Sequence, residues 1–216
     1  MLDPSAIARL DDALLRQPQS VKTVIADLKP AIMACDARSH PYGFVVVTLG
    51  TGGDGGRVRY RLHIWRKGFS NDRSADLMIH DHVYDLASHV LVGGFLHDEY
   101  VESAATGTEY ACYRGLYDGP HSELKRTDRT MRASLARSSN VAAGDTYHLA
   151  ARKLHVVTVD PDVFTATVLR TEYGPDLADP VILAPMDADN YYRFDRHLVA
   201  SADANRSIDE LFQLIA

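Results

Sequence analysis

Apolar residues along the chain change their period near residue 40. Before that point they recur at helical spacing: Ile7, Leu10, Leu14 and Leu15, then Val21, Val24, Ile25 and Leu28, then Ile32 and Met33. A stripe at this spacing predicts helices over residues 4–37, each with one buried face. Pro4-Ser5 opens the run and Gln17-Pro18-Gln19-Ser20 breaks it. Beyond Tyr42 the period becomes two. Gly43 to Leu49 is rich in β-branched residues, and Arg57 to Lys67 alternates. In the second run Tyr60, Leu62 and Ile64 share one face, while Arg59, Arg61, His63 and Trp65 share the other. The stretch Gly50–Gly56 joins the two. Its glycines lack the Gly-Lys-Ser/Thr ending of a phosphate loop, so a hairpin turn is the reading.

The same pattern predicts further strands within 77–92, then over Phe95–Val101, Glu109–Arg114, Thr146–Leu149, Leu154–Val159 and Phe164–Tyr173. Gly93-Gly94, Gly144-Asp145 and Pro161-Asp162 punctuate them. Phe69–Asp76 reads as a polar loop. Residues 115–140, with Lys125, Arg126, Arg129, Arg132 and Arg137, read as a solvated, partly ordered excursion. Past Pro180 the chain is acidic and mixed until a closing helix over Arg206–Ile215, with Ile208, Leu211, Phe212 and Ile215 on one face. Many short strands separated by turn residues predict an all-β sandwich or barrel. The expected organisation is a helical N-terminal extension over 1–40, a barrel over 41–178 and a C-terminal extension over 179–216.

Composition narrows the function classes. The net charge of −6 argues against a nucleic-acid or anionic-membrane partner. No 18-residue apolar run exists, and the N-terminal residues carry acids rather than the apolar core of a secretory signal. Cys35 and Cys112 lie far apart without Cys-x-x-Cys spacing, as expected of structural thiols in a reduced, cytoplasmic protein. No Gly-x-Ser-x-Gly elbow points to covalent catalysis.

The candidate chemistry lies in Ile79-His80-Asp81-His82 and Leu154-His155-Val156. On a strand, residues two apart point the same way, so His80 and His82 can aim at one point. A third imidazole from a neighbouring strand completes a three-nitrogen metal site, which suits iron, zinc, nickel, manganese or copper. His148 is the rival third ligand. Asp85 faces away from the metal on a regular strand and reads as structural. Tyr84 shares the face of the histidine pair. His63 reads as a surface or supporting residue, and His89 and His97 as satisfied polar residues.

The spacings resemble the two signatures of the cupin barrels. Gly93 follows His82 by 11 residues, and His155 follows Gly144 by 11. The acid position holds Leu86 or Ala87, the opening glycine is Ser74, and the proline and glycine of the second signature are Ala150 and Arg152. A cupin with histidines and no acid resembles the cysteine dioxygenase branch. The order Tyr42, glycine-rich hairpin, Leu62-His63-Ile64-Trp65, His80-Asp81-His82, Leu154-His155 and Tyr173-Gly174-Pro175 is similar. The resemblance implies a jelly-roll (double-stranded β-helix) barrel and one iron(II) held by His80, His82 and His155. It implies Tyr173 as a catalytic residue beside the metal, and oxygen and a small thiol or amino-acid-like molecule as substrates. The arginine that family uses to hold a carboxylate falls near Phe44, the cysteine that cross-links to its tyrosine falls at Ala87, and the serine and histidine preceding that tyrosine fall at Leu169 and Thr171. Free cysteine is therefore not the expected substrate. Arg59, Arg61 or Arg170 could supply a replacement cation, and the sequence does not select among them. Two other readings stand beside this one: a redox-neutral metal cupin acting as an isomerase or lyase, and a non-catalytic ligand-binding barrel. Fold-level analogy suggests a homodimer.

Overall fold

The computed structural model describes residues 1–69, 77, 79–103, 105–118, 121–175 and 179–216. The expected loop beyond Phe69 and the Ser74 position lie outside the described residues. Two antiparallel sheets face each other as a jelly-roll barrel, with helices laid over one of them.

The first sheet runs β1 (Ala37–Ser39), β2 (Val45–Gly52), β3 (Val58–Trp65), β11 (Thr165–Tyr173), β5 (Tyr84–Val92) and β9 (Thr146–Leu149). The alternation seen in the sequence decides its two faces. Tyr60, Leu62 and Ile64 of β3 join Val47, Leu49, Leu91, Ala166 and Val168 against the helices. Those helices are α1 (Pro4–Arg16), α2 (Val21–Asp27), α3 (Lys29–Met33) and α4 (Ser201–Ile215). Leu10, Val21, Ile25, Ile32, Ile208 and Leu211 reach zero exposure in this layer. Each such side chain contributes about 1.5–3 kcal/mol by leaving water. Asp3 caps α1, its carboxylate accepting the Ala6 N–H at 2.9 Å, and Pro4 occupies the first turn, where no N–H is needed.

The second sheet runs β13 (Tyr191–Asp195), β8 (His121–Ala142), β6 (Gly94–Glu102), β10 (Leu154–Thr158), β4 (Ile79–His80), β12 (Val181–Ala184) and β7 (Thr108–Asp118), and β7 also pairs with β8. Between the sheets, Phe44, Val46, Trp65, Val90, Phe95, Val141 and Val159 form an apolar plug at one end of the barrel. The other end, where Tyr84 pairs with Tyr173 in register, is polar.

Several elements differ from the sequence reading. The basic stretch 115–140 is not a loose excursion, because β8 runs through most of it as a strand of 22 residues. It is paired to β7 and β13 over its first part and to β6 over its last. Few of its positions are buried, and Arg129, Arg132 and Arg137 stand on the exposed face, so partner strands rather than its own apolar residues hold it. Past Pro180, β12 lies between β4 and β7 and β13 edges the same sheet, so the C-terminal segment is built into the barrel wall. Helix ends near Met33, not residue 37, because Ala37–Ser39 pairs with β2. The closing helix starts at Ser201, five residues before the expected Arg206.

Candidate metal centre

His80 ends β4 and sits directly opposite His155 of β10. His82 is not on the strand that the His-x-His pattern suggested: pairing in β4 stops at His80. The alternation nevertheless survives. Asp81 turns the opposite way and is clamped to β12, its N–H donating to the Val181 carbonyl at 3.0 Å and its carboxylate accepting the Val181 N–H at 2.6 Å. Burial pushes the Asp81 carboxyl up, against the pull of the Val181 N–H and the Arg152 guanidinium. Held this way, Asp81 leaves His82 directed inward beside His80.

One ring nitrogen from each of His80, His82 and His155 lies within 4.8 Å of the others, close enough for a single ion to reach all three. Ring centroids are 4.5 Å apart for His80 and His155 and 4.9 Å for His82 with each of the others. Burial, reinforced by the neighbouring imidazoles, holds His82 and His155 well below the ordinary histidine range. Both are therefore neutral at physiological pH, the form a metal requires. The Nδ1 of His155 lies 3.1 Å from the Lys153 carbonyl oxygen. That acceptor places the proton on Nδ1 and leaves the Nε2 lone pair for a ligand bond. The donor set fits a borderline transition-metal ion.

Of the other expected residues, His148 is exposed on β9 and stands outside this group. The Asp85 carboxylate is exposed and accepts the Ala151 N–H at 2.7 Å, a tie between the ends of β5 and β9. His89 is satisfied by the Thr146 hydroxyl at 2.7 Å. His97 departs from the satisfied reading. It is 3% exposed, faces His155 at 5.6 Å and Tyr147 at 5.0 Å, and its Nε2 has no partner among the described residues. Burial keeps its pKa down against Glu99 and Asp98, so the 3.9 Å approach to Glu99 is not an ion pair at neutral pH.

Tyr84 stacks on His82 at 4.7 Å and 12°, and touches Tyr173 at 4.9 Å. Tyr173 thus reaches the histidines through Tyr84. Its hydroxyl accepts N–H groups of Arg59 at 3.4 Å and Arg61 at 3.3 Å. Arg170 is on the opposite face of β11, paired to Asp11 of α1 and to Glu172 at 2.7 Å each, so it serves the helix layer.

His63 lies inside the barrel against Phe44 and Trp65, not on the surface. Burial, with Arg61 and Arg196 nearby, lowers it to about 3. In the unfolded chain His63 takes a proton near 6.5, and in the fold it does not until far lower pH. Its contribution is therefore whole above pH 6.5 and is lost as pH falls through the window from 6.5 to 3. Between pH 7 and pH 5 the expected loss from this group is about 2 kcal/mol. In denaturant unfolding, the stability difference between the parent and His63→Gln should shrink by that amount over the same interval. A pH-independent difference would show that His63 titrates alike folded and unfolded.

Arg152 was not singled out as a site residue by the sequence, yet it organises the loop before His155. It has φ +66°, the left-handed conformation that suits glycine, which the cupin signature carries at this position. Its N–H donates to the His82 carbonyl at 2.8 Å, and its guanidinium reaches the Asp179 carbonyl at 2.8 Å and Asp81 at 3.5 Å. Backbone strain of roughly 1–2 kcal/mol is offset by tying together both segments that carry histidines.

No protein-family model matches the sequence, and no curated protein matches it. Solved structures resemble the chain at low identity. A cupin superfamily protein from Desulfitobacterium hafniense DCB-2 is 11% identical, with a TM-score of 0.32 over 60% of this chain and 78% of that one. A structure of DMSP lyases is 16% identical, with a TM-score of 0.38 over 79% and 75%. Hydroxypropylphosphonic acid epoxidase from S. wedmorenis is 9% identical, with a TM-score of 0.36 over 64% and 55%. Likenesses at this level add nothing to the chemistry, which rests on the residues of this chain.

Proposed function

We propose that the protein is a metal-dependent enzyme of the cupin type, a mononuclear non-haem iron oxygenase acting on a small polar metabolite other than free cysteine. The observation that carries this is the group His80, His82 and His155, three imidazoles gathered in a barrel with an apolar plug at one end. Iron(II) is preferred by the resemblance to the cysteine dioxygenase branch; zinc, nickel, manganese and copper suit the same donors. A bound iron(II) would supply Lewis acidity and one-electron redox chemistry at the positions the three nitrogens leave open.

The chain's own residues supply the rest. The Lys153 carbonyl fixes the His155 tautomer, and the Asp81 clamp with the Arg152 N–H fixes the backbone at His82. The apolar plug excludes water from the far end, which strengthens electrostatic contacts inside. The Tyr173 hydroxyl accepts from both Arg59 and Arg61, so its own proton remains to be donated towards substrate. No helix among the described residues is long and apolar enough to cross a membrane. A homodimer is proposed on fold-level analogy alone.

The test is oxygen consumption by protein loaded anaerobically with iron(II), on a panel of small thiols, amino acids and hydroxy acids. Substrate-dependent uptake that requires iron is the expected result. Metal retention with no uptake on any member, while a substrate is still converted without oxygen, would replace the oxygenase by a redox-neutral lyase or isomerase.

A further inference from the structure

Arg57, Arg59 and Arg61 occupy alternate positions along β3 and its approach, and all three converge on Tyr173 at the polar end of the barrel. Arg57 Nε donates to the Tyr173 carbonyl at 3.0 Å, while Arg59 and Arg61 donate to its hydroxyl. The Arg59 guanidinium also lies 4.5 Å over the Tyr173 ring. Arg57 and Arg59 are exposed at the mouth, and Arg61 is inside.

Arg61 has an unusual set of neighbours. Arg170, Arg152 and Arg114 each reach a carboxylate. Arg61 reaches only the phenols of Tyr84 and Tyr173, and no carboxylate pairs with it among the described residues. His63, two residues along the same strand, is held neutral by burial. A guanidinium removed from water without a counter-charge is expensive, and the cost is recovered when an anion joins it. Its planar fork suits an oxyanion with two oxygens in one plane. Tyr84 is in contact with both His82 and Tyr173, so a molecule held at Arg61 lies beside the histidine group.

We propose that Arg61, flanked by Tyr84 and Tyr173, binds the anionic head group of the substrate, a small molecule carrying a carboxylate or phosphonate whose other end reaches His80, His82 and His155. Arg57 and Arg59 draw such an anion to the mouth of a chain whose net charge is −6. The proposal rests on the metal-enzyme reading for what lies at the other end of the ligand, and on β3 alone for the head group.

The experiment uses the full chain loaded with cobalt(II), whose visible spectrum reports ligands entering the centre. Glycolate, hydroxymethylphosphonate and the neutral glycolamide are titrated by that spectrum and by calorimetry. Both anions should bind at least about tenfold more tightly than the amide, the scale of one hydrogen bond to a charged group. Arg61→Gln should lose that preference, by about 10- to 100-fold for the anions, with glycolamide and cobalt content unmoved. Arg61→Lys keeps the charge without the fork and should recover only part of it. The order of glycolate and hydroxymethylphosphonate names the head group. Equal binding of glycolate and glycolamide, or a preference that survives Arg61→Gln, overturns the proposal and leaves the anion bound by the metal alone. If the parent chain takes up no cobalt, the metal reading fails. Calorimetry on the metal-free chain and its Arg61→Gln variant then judges the anion pocket by the same two criteria.

Discussion

Elemental analysis of a His155→Ala protein should find almost no bound metal, and His80→Ala should behave alike, while His148→Ala keeps the full complement of the parent. His155 is 2% exposed and is oriented by the Lys153 carbonyl, so it is fixed towards the other two imidazoles. Losing even a supporting hydrogen bond to a metal-bound histidine costs roughly 10–100-fold in affinity, and losing the ligand itself costs more than that. With two half-buried imidazoles left, the ion should wash out during purification. The variant opens a cavity opposite His80, so far-UV circular dichroism must accompany the metal analysis to show that the barrel remains. Full metal retention by a folded His155→Ala protein would move the third ligand elsewhere. His148 is the first candidate by sequence, although its exposure on β9 argues against it.

The expectation that His155, not His148, completes the group came from the 11-residue interval after Gly144, and the structure brings His155 beside His80 and His82. Period-two alternation sorts the residues of β3 onto their two faces, but it does not show that the polar face, with His63 and Trp65, lines the barrel interior while the apolar face meets the helices. Where the structure departs, the deciding force is non-local. Residues 115–140 carry too few apolar positions to announce a strand, and β8 exists because β6, β7 and β13 supply its hydrogen bonds. β12 is four residues long and reads as tail, yet it completes the wall at β4. Arg61 showed only as one of three arginines. That no carboxylate among the described residues pairs with it, whereas Arg170 has Asp11, depends on which face each strand turns to α1. Arg152 departs from the glycine of the signature in side chain but keeps its backbone conformation, which no residue name discloses.

The two glycines of the spacing signature should respond very differently to alanine. Gly93 turns the chain from β5 into β6 at φ +72°. A Cβ there would lie 2.4 Å from the Phe164 carbonyl oxygen and 2.4 Å from the Thr165 hydroxyl. That hydroxyl is already engaged by both the N–H and the carbonyl of Gly94, at 3.3 and 3.2 Å. The Gly93 carbonyl accepts the Ala143 N–H at 3.0 Å, so the turn cannot shift without disturbing the loop at Gly144. Gly144 also has a left-handed backbone, at φ +94°, but a Cβ there meets nothing within 4 Å among the described residues. Gly144→Ala should therefore cost only the backbone strain, about 1–2 kcal/mol. Gly93→Ala carries the same strain plus the displacement of main chain in β11, for a total of roughly 3–5 kcal/mol. Urea unfolding measures both as shifts in midpoint at constant slope. Equal losses for the two variants would mean that conformation alone, not the close approach of β11, selects glycine at position 93. A larger loss at Gly93 assigns the signature glycine a packing role, holding β11 against the turn that leads from β5 into β6.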